Sequence, residues 1–190
     1  IREVGHTGTL DPMATGVLPL VVGRATRLAQ FLSGGDKAYE ARVRLGVTTD
    51  TWDRTGAVLT RLEPGTPWPS LAAVEDAAAR FLGEQEQLPP RFSAKKVGGT
   101  PAYALARKGR DVEVRSARVV LYWLEVASFA PPLVDVRLRC SGGYYVRALA
   151  HDLGVRLGCG ACLDGLRRSA SGEFDLARAV PLDVLARTPE

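Results

Sequence analysis

Two segments of this 190-residue chain alternate strictly between apolar and polar side chains, and this alternation restricts the possible folds more than any other feature. In residues 38–45 the apolar positions Tyr39, Ala41, Val43 and Leu45 share one face, and residues 134–140 repeat the pattern. A period of two is typical of a β-strand with one buried and one solvated face. The alternation therefore predicts a sheet with one covered side.

The other patterns predict shorter strands and a few amphipathic helices. Strands are expected over 57–60, 112–114, 119–126 and around Leu166, and helices over 26–32, 101–108, 145–157, 182–186 and from the capping residue Ser70 to 82. Residues 87–99, with two prolines and a Gly-Gly pair, predict an extended loop. Strands interspersed with helices indicate an α+β fold with a mixed, mainly antiparallel sheet, in a single domain spanning 1–190.

The composition argues against a membrane protein and against a metal or redox centre. No apolar run approaches the roughly 18 residues that a membrane-spanning helix needs, and no signal peptide is visible, so the cytoplasm is the expected compartment. Cys159 and Cys162 form a CxxC pair, but a zinc site needs about four ligands. A redox pair should open a helix after a strand, whereas this pair follows the helix expected over 145–157. We therefore expect no metal, and we interpret these cysteines and Cys140 as inert thiols.

A loop near the start of the chain presents a single carboxylate. Asp11 is followed by a proline, which favours extended backbone at the aspartate, and nearby glycines allow another chain to approach closely. Aspartates in turns often bond only to their own backbone. The pattern by itself therefore leaves both a structural and a catalytic role open.

The run from Gly5 to Leu20, GHTGTLDPMATGVLPL, is similar nearly letter for letter to the catalytic-aspartate motif of the TruB family of tRNA pseudouridine synthases. These enzymes isomerise the T-loop uridine of tRNA, uridine 55, to pseudouridine. The resemblance implies the pseudouridine synthase fold, with a central RNA-binding cleft across the sheet. It also implies the tRNA T-stem-loop as partner, no obligate protein partner and no cofactor, because the reaction exchanges an N1–C1′ bond for a C5–C1′ bond without redox change.

The resemblance assigns the chemistry to three residues. Asp11 is the expected nucleophile. Arg147, in the motif GYYVR of residues 143–147, is expected to hold the carboxylate ionised. Tyr145 from the same motif is the expected general base or proton relay. Whether the aspartate attacks the sugar, attacks the base or acts through a glycal stays open.

Further residues are expected to contact the substrate. By resemblance, Tyr39 stacks on the flipped base, His6 contacts the RNA beside it, and Leu166 lines the uracil pocket. Asp53, in a matching TDTxD loop, is expected to orient the catalytic arginine. The pair Arg167–Arg168 is expected to contact RNA phosphates.

Residues 91–118 carry much of the positive charge. They contain eight basic and two acidic residues, a net +6 against +4 for the whole chain, which is the electrostatic pattern expected of a phosphate-binding surface. The run PPRFSAKK of residues 89–96 resembles part of the family's RNA-gripping insertion, here about 87–115. Lys95 and Lys96 are its expected backbone contacts.

The sequence departs from the family pattern at both ends, and two other functions stay open. The usual first strand with its Lys-Pro motif and the frequent C-terminal PUA domain have no counterpart, so we expect a shortened chain. One alternative is the guide-RNA-dependent enzyme that modifies ribosomal RNA, although that branch usually has Lys-Val where this chain has Met13-Ala14. The other is a noncatalytic tRNA-binding or tRNA-folding protein, which would not need Asp11.

Overall fold

The computed structural model describes residues 3–93, 96–97, 100–101 and 115–187. Lys95, the strand expected over 112–114 and nearly all of the helix expected over 101–108 lie outside these ranges. In chain order the strands are β1 Val4–His6, β2 Thr15–Gly16, β3 Leu20–Val22, β4 Lys37–Leu45, β5 Val47–Thr49, β6 Val58–Arg61, β7 Gly83–Gln87, β8 Lys96–Val97, β9 Thr100–Pro101, β10 Ala117–Ala130, β11 Leu133–Cys140, β12 Ala161–Ser171 and β13 Phe174–Asp175. The α-helices are α1 Ala29–Leu32, α2 Leu71–Ala79, α3 Val146–Arg156 and α4 Leu182–Arg187, with 3₁₀ helices at Gly23–Leu28 and Leu176–Arg178.

A seven-stranded sheet organises the fold. Its strands run in the order β13-β12-β4-β11-β10-β7, with antiparallel neighbours, and β2 adds to β12 in parallel. The mixed, mainly antiparallel sheet of an α+β fold is thereby confirmed. No helix in the described ranges is long and apolar enough to cross a membrane.

The core lies between one face of this sheet and the helices. Ala41, Val43 and Leu45 on β4 are each at most 4% exposed, and Val43 lies opposite Val134 of β11. The helices α2 and α3 pack against the sheet and bury Val74, Leu149 and Leu153 among others. Burying each such side chain contributes about 1.5–3 kcal/mol, so the alternation in the sequence directs β4 and β11 onto this core.

The opposite face of the sheet is charged, as the alternation predicts. Arg42 on β4 makes a two-contact ion pair with Asp135 on β11, at 2.7 and 3.1 Å. Arg44 donates to Asp164 on β12 at 2.8 Å. These cross-strand pairs lie on the polar face and add modestly to the pairing of β4 with β11 and β12.

One strand is longer than predicted and another was missed. The expected short strand around Leu166 is present, but it is the eleven-residue β12, whose polar residues include Arg167 and Arg168. The predictions of a helix to 82 and a loop from 87 left out β7, an edge strand that pairs with β10. Helix α2 ends at Ala79, and Leu82, at the end of the predicted helix, is 48% exposed. Both errors arise because the strands form by pairing with distant segments rather than from their own apolar pattern.

Candidate active site

A cavity of about 820 Å³ opens where the loop around Asp11, the loop 50–56 and the start of α3 meet the sheet. A volume of this size is typical of sites that bind small molecules or single nucleotides. Its walls bring together residues that are far apart in sequence and that were singled out as site residues: Asp11, Tyr39, Asp53, Tyr145, Arg147, Leu166 and Arg168.

Asp11 and Arg147 form a bidentate ion pair across 136 positions of sequence. Arg147 Nε donates to Asp11 Oδ2 at 3.1 Å and Nη2 donates to Oδ1 at 2.8 Å. The arginine side chain is 7% exposed and the aspartate 24%. The fork therefore holds the carboxylate in one orientation while one side of it still faces the cavity.

The guanidinium is held from three further directions. Its Nη1 donates to the Thr51 carbonyl at 3.1 Å and lies 3.6 Å from Asp53 Oδ2, and its Nη2 donates to the Phe92 carbonyl at 3.0 Å. Asp53 is itself fixed, because its Oδ1 accepts from the Thr51 hydroxyl and from both the amide and the hydroxyl of Thr55. The arginine is thus a rigid part of the site.

Burial and the neighbouring arginine act in opposite directions on the pKa of Asp11. Burial raises the pKa of Asp11 above its ordinary value of 3.8, and Arg147 opposes that rise by attracting and hydrogen-bonding the carboxylate. Asp11 and Asp53 together outweigh the single charge of Arg147 by one. The cluster therefore presents a net negative charge to the cavity.

Two tyrosines complete the wall. Burial raises the pKa of Tyr39 to about 12, against the lowering influence of the nearby Arg168. Burial also raises the pKa of Tyr145, against the lowering influence of the positive charge of Arg147. Both phenols are therefore protonated at neutral pH, which favours a proton relay by Tyr145 over a resting phenolate base.

The remaining expected contacts divide between the cavity and the surface. Leu166 is 9% exposed and lines the cavity from β12. His6 is exposed, lies apart from the cavity lining, and its Nδ1 accepts from the Gly8 amide at 3.4 Å. Arg167 faces solvent beside Glu40, at 3.5 Å. Lys96 lies in the two-residue strand β8.

Arg168 is buried, unlike its neighbour Arg167. It is 1% exposed, and it donates from Nε to the Val17 carbonyl at 2.8 Å and from Nη2 to the Gly8 carbonyl at 3.1 Å. Neighbouring residues of a strand point to opposite faces, so β12 exposes Arg167 and buries Arg168. The buried guanidinium holds the Asp11 loop against the sheet instead of lying on an open surface.

Sequence reasoning missed two buried residues at this site. Gln87, 3% exposed on the unpredicted strand β7, donates to the Tyr145 carbonyl at 3.0 Å and accepts from its amide at 2.7 Å. These two hydrogen bonds fix the backbone of Tyr145, the residue immediately before α3. Lys37 is 6% exposed and lines the cavity two residues before Tyr39. Since both lie on β4, the period of two that identified the tyrosine could also have identified the lysine.

Two family models match consecutive parts of the chain. The model of the TruB family pseudouridylate synthase N-terminal domain matches residues 1–146. The model of the tRNA pseudouridylate synthase B C-terminal domain matches residues 147–189.

Similar proteins carry the corresponding name. The proteins named tRNA pseudouridine synthase B from Azoarcus sp. (strain BH72), Opitutus terrae and Francisella tularensis subsp. novicida are 49%, 48% and 46% identical to this chain over 98%, 100% and 97% of its length. The chain spans 61%, 78% and 61% of those relatives, respectively.

Solved structures agree on the fold. A crystal structure of a Cbf5-Nop10-Gar1 complex matches with a TM-score of 0.69 and 29% identity, over 92% of this chain and 42% of the other. A structure of an H/ACA RNP bound to a substrate RNA containing 2′-deoxyuridine matches with a TM-score of 0.65 and 26% identity, over 92% and 40%. The chain, matched from end to end by the two TruB models, belongs to the TruB family of pseudouridylate synthases.

Proposed function

We propose that this chain is an isomerase that converts the T-loop uridine of tRNA, uridine 55, to pseudouridine. The observation that carries the proposal is the bidentate pair of Asp11 and Arg147 on the wall of a cavity that two tyrosines and Leu166 also line. A binding protein has no need of a buried carboxylate that a guanidinium holds towards an open cavity. An enzyme that must break a glycosidic bond does.

Asp11 is proposed as the nucleophile, and Arg147 as the group that keeps it ionised and aimed. In the net reaction the N1–C1′ bond breaks, the base turns, and a C5–C1′ bond forms, while the C5 proton leaves and N1 gains a proton. No electron acceptor and no cofactor enter this balance. Asp53 acts through Arg147 as a positioning residue.

The aromatic residues are proposed to handle the base. A uridine in a loop must leave its stack to reach Asp11, and the ring of Tyr39 is suited to stacking on it once flipped. Tyr145 lies beside the ion pair as a protonated phenol, so it is proposed to relay the proton lost from C5. Leu166 provides an apolar wall for the detached uracil.

The proposed substrate is the T-stem-loop of tRNA, which the names of the 46–49% identical relatives support. We also propose that the enzyme acts in the cytoplasm and without an obligate protein partner. A guide-RNA-dependent enzyme is the second candidate, because the structural matches named above are to a multiprotein complex and to a ribonucleoprotein bound to a substrate RNA. Their lower identity, 29% and 26%, makes it the less favoured candidate.

One assay tests the proposed function against a noncatalytic role. The purified chain is incubated with an unmodified T-stem-loop, and pseudouridine is mapped, beside an Asp11→Asn variant that preserves the shape of the side chain. We expect product from the wild type alone and RNA binding by both. Product from the variant at the wild-type rate would refute the assigned chemistry, and binding without product from the wild type would favour a noncatalytic role.

A further inference from the structure

Two buried cations lie on the cavity wall and neither takes part in the ion pair of Asp11. Lys37, 6% exposed, donates from Nζ to the carbonyls of Ser33 and Gly35, at 3.2 and 2.5 Å. Arg168, 1% exposed, donates to the backbone carbonyls of Val17 and Gly8. An ammonium has three protons and a guanidinium five, so both keep donors to spare.

The two positive charges lack a carboxylate of their own. Within the described ranges no carboxylate oxygen lies within 4 Å of Lys37 or Arg168, and the neighbouring Asp36 is paired with Arg139 at 3.0 Å. Buried charges in proteins are normally paired. Burial and the charge of Arg168 lower the pKa of Lys37, as expected for an ammonium beside a second cation.

Two neighbouring residues, Gly8 and Ser171, leave room and a free hydroxyl for a ligand beside these cations. Gly8 lies against both, because a Cβ there would stand 3.7 Å from Arg168 Nη1 and 3.9 Å from Lys37 Cε, so a larger side chain would cover them. Ser171, directly opposite Lys37 in the pairing of β12 with β4, has a buried hydroxyl without a hydrogen-bond partner among the described residues. A buried hydroxyl without a partner calls for an explanation, and an acceptor bound beside Lys37 would supply one.

The cavity is therefore electrically polarised. Its Asp11 end is negative, and its Lys37 end carries two positive charges. Tyr39 shares a face of β4 with Lys37 and lies opposite Arg168 on β12. A nucleotide has the complementary layout, with an electron-poor sugar carbon at the reacting bond and a phosphodiester anion a few bonds away.

We propose that Lys37 and Arg168 form an anion subsite that holds a phosphodiester adjoining the flipped uridine and thereby positions its sugar over Asp11. The inference rests on the proposed function, because it takes a flipped nucleotide as the occupant of the cavity. It makes Lys37 a substrate-binding residue and gives the buried pair an anionic partner that the described residues do not supply.

The test removes the charge of the RNA phosphate and the charge of Lys37, first separately and then together. T-stem-loops carry one neutral methylphosphonate, either 5′ or 3′ of the target uridine, and their affinities are measured with Asp11→Asn protein, which keeps the RNA unreacted. The second protein adds Lys37→Met, which removes the charge and keeps the stem. The control adds Arg61→Gln, which removes one positive charge from an exposed position outside the cavity.

We expect the methylphosphonate at one of the two positions to weaken binding to the parent and the control by about 10- to 100-fold, the range of one charge-assisted hydrogen bond. In the Lys37→Met protein the same RNA should lose less than about threefold, because the contact is already gone. An equal loss in parent and Lys37→Met, or no loss at either position in the parent, would overturn the proposal.

A second measurement covers the case in which Lys37→Met does not fold. The chain has four lysines, so ¹⁵N-lysine labelling allows the Nζ of Lys37 to be titrated in the parent. Its pKa should rise when the phosphodiester RNA binds and rise less with the methylphosphonate RNA; identical values would refute the subsite. Pseudouridine formation by the wild type is scored separately, so RNA that binds through Lys37 without reacting would refute the proposed function and leave the subsite standing.

Discussion

Replacing Arg147 with methionine tests whether the central ion pair is a structural necessity of the site. The variant keeps a long side chain but removes the guanidinium that four hydrogen bonds hold in place. Two of these bonds go to Asp11 and two to the carbonyls of Thr51 and Phe92. Asp53, with a side chain 5% exposed, would remain buried without its cation.

The magnitude follows from the burial of what is left behind. Removing one partner from a buried ion pair costs about 3–5 kcal/mol, because the remaining charge keeps its desolvation penalty. Here Asp53 bears most of that penalty, whereas Asp11, at 24% exposure, is partly relieved by solvent. We expect the free energy of unfolding to fall by about 3–5 kcal/mol in Arg147→Met, and by less in Arg147→Lys, which keeps the charge but not the fork.

Urea unfolding followed by circular dichroism measures this difference. The matched control is Arg42→Met, which breaks a bidentate aspartate pair of the same kind on the exposed face of the sheet, where solvent replaces the lost contact. The control should unfold nearly as the wild type does. An Arg147→Met protein within about 1 kcal/mol of the wild type would refute the buried-charge reasoning.

Three further predictions follow. Burial raises the pKa of Asp11, so the wild type should lose stability relative to Asp11→Asn as pH rises from the ordinary aspartate pKa of 3.8 through the raised value; a deficit of the variant that grows with pH would contradict this. Gly16→Ala should cost at least about 2 kcal/mol in urea unfolding, because Gly16 has φ 98° and a Cβ would collide with the backbone of β12, whereas Gly65→Ala, with φ 85° and open space, should cost less. Neutralising Lys95 and Lys96 should flatten the salt dependence of RNA binding by about one unit of slope per lost contact, and an unchanged slope would exclude both from the interface.

Local signals were enough for much of the sheet and for the order of the site motifs. The alternation of β4 and β11 follows from each residue choosing between core and solvent, and Ser70 caps α2 by accepting from the Ala73 amide as its side chain predicts. The residues around Asp11 and Arg147 were also recognisable from short runs of sequence. These features depend on neighbours within a few positions.

Pairing between distant segments decided the rest. The polar strand β7 exists because β10 offers it a partner, and its Gln87 could be assigned to Tyr145 only once that pairing was known. Arg167 and Arg168 are the same residue type side by side, and only the alternation of β12 exposes one and buries the other. Similarly, Asp11 became an oriented acid, and Lys37 a buried cation, through contacts made across the sheet. Burial and charge compensation are properties of the folded surroundings, so no single stretch of the chain carries them.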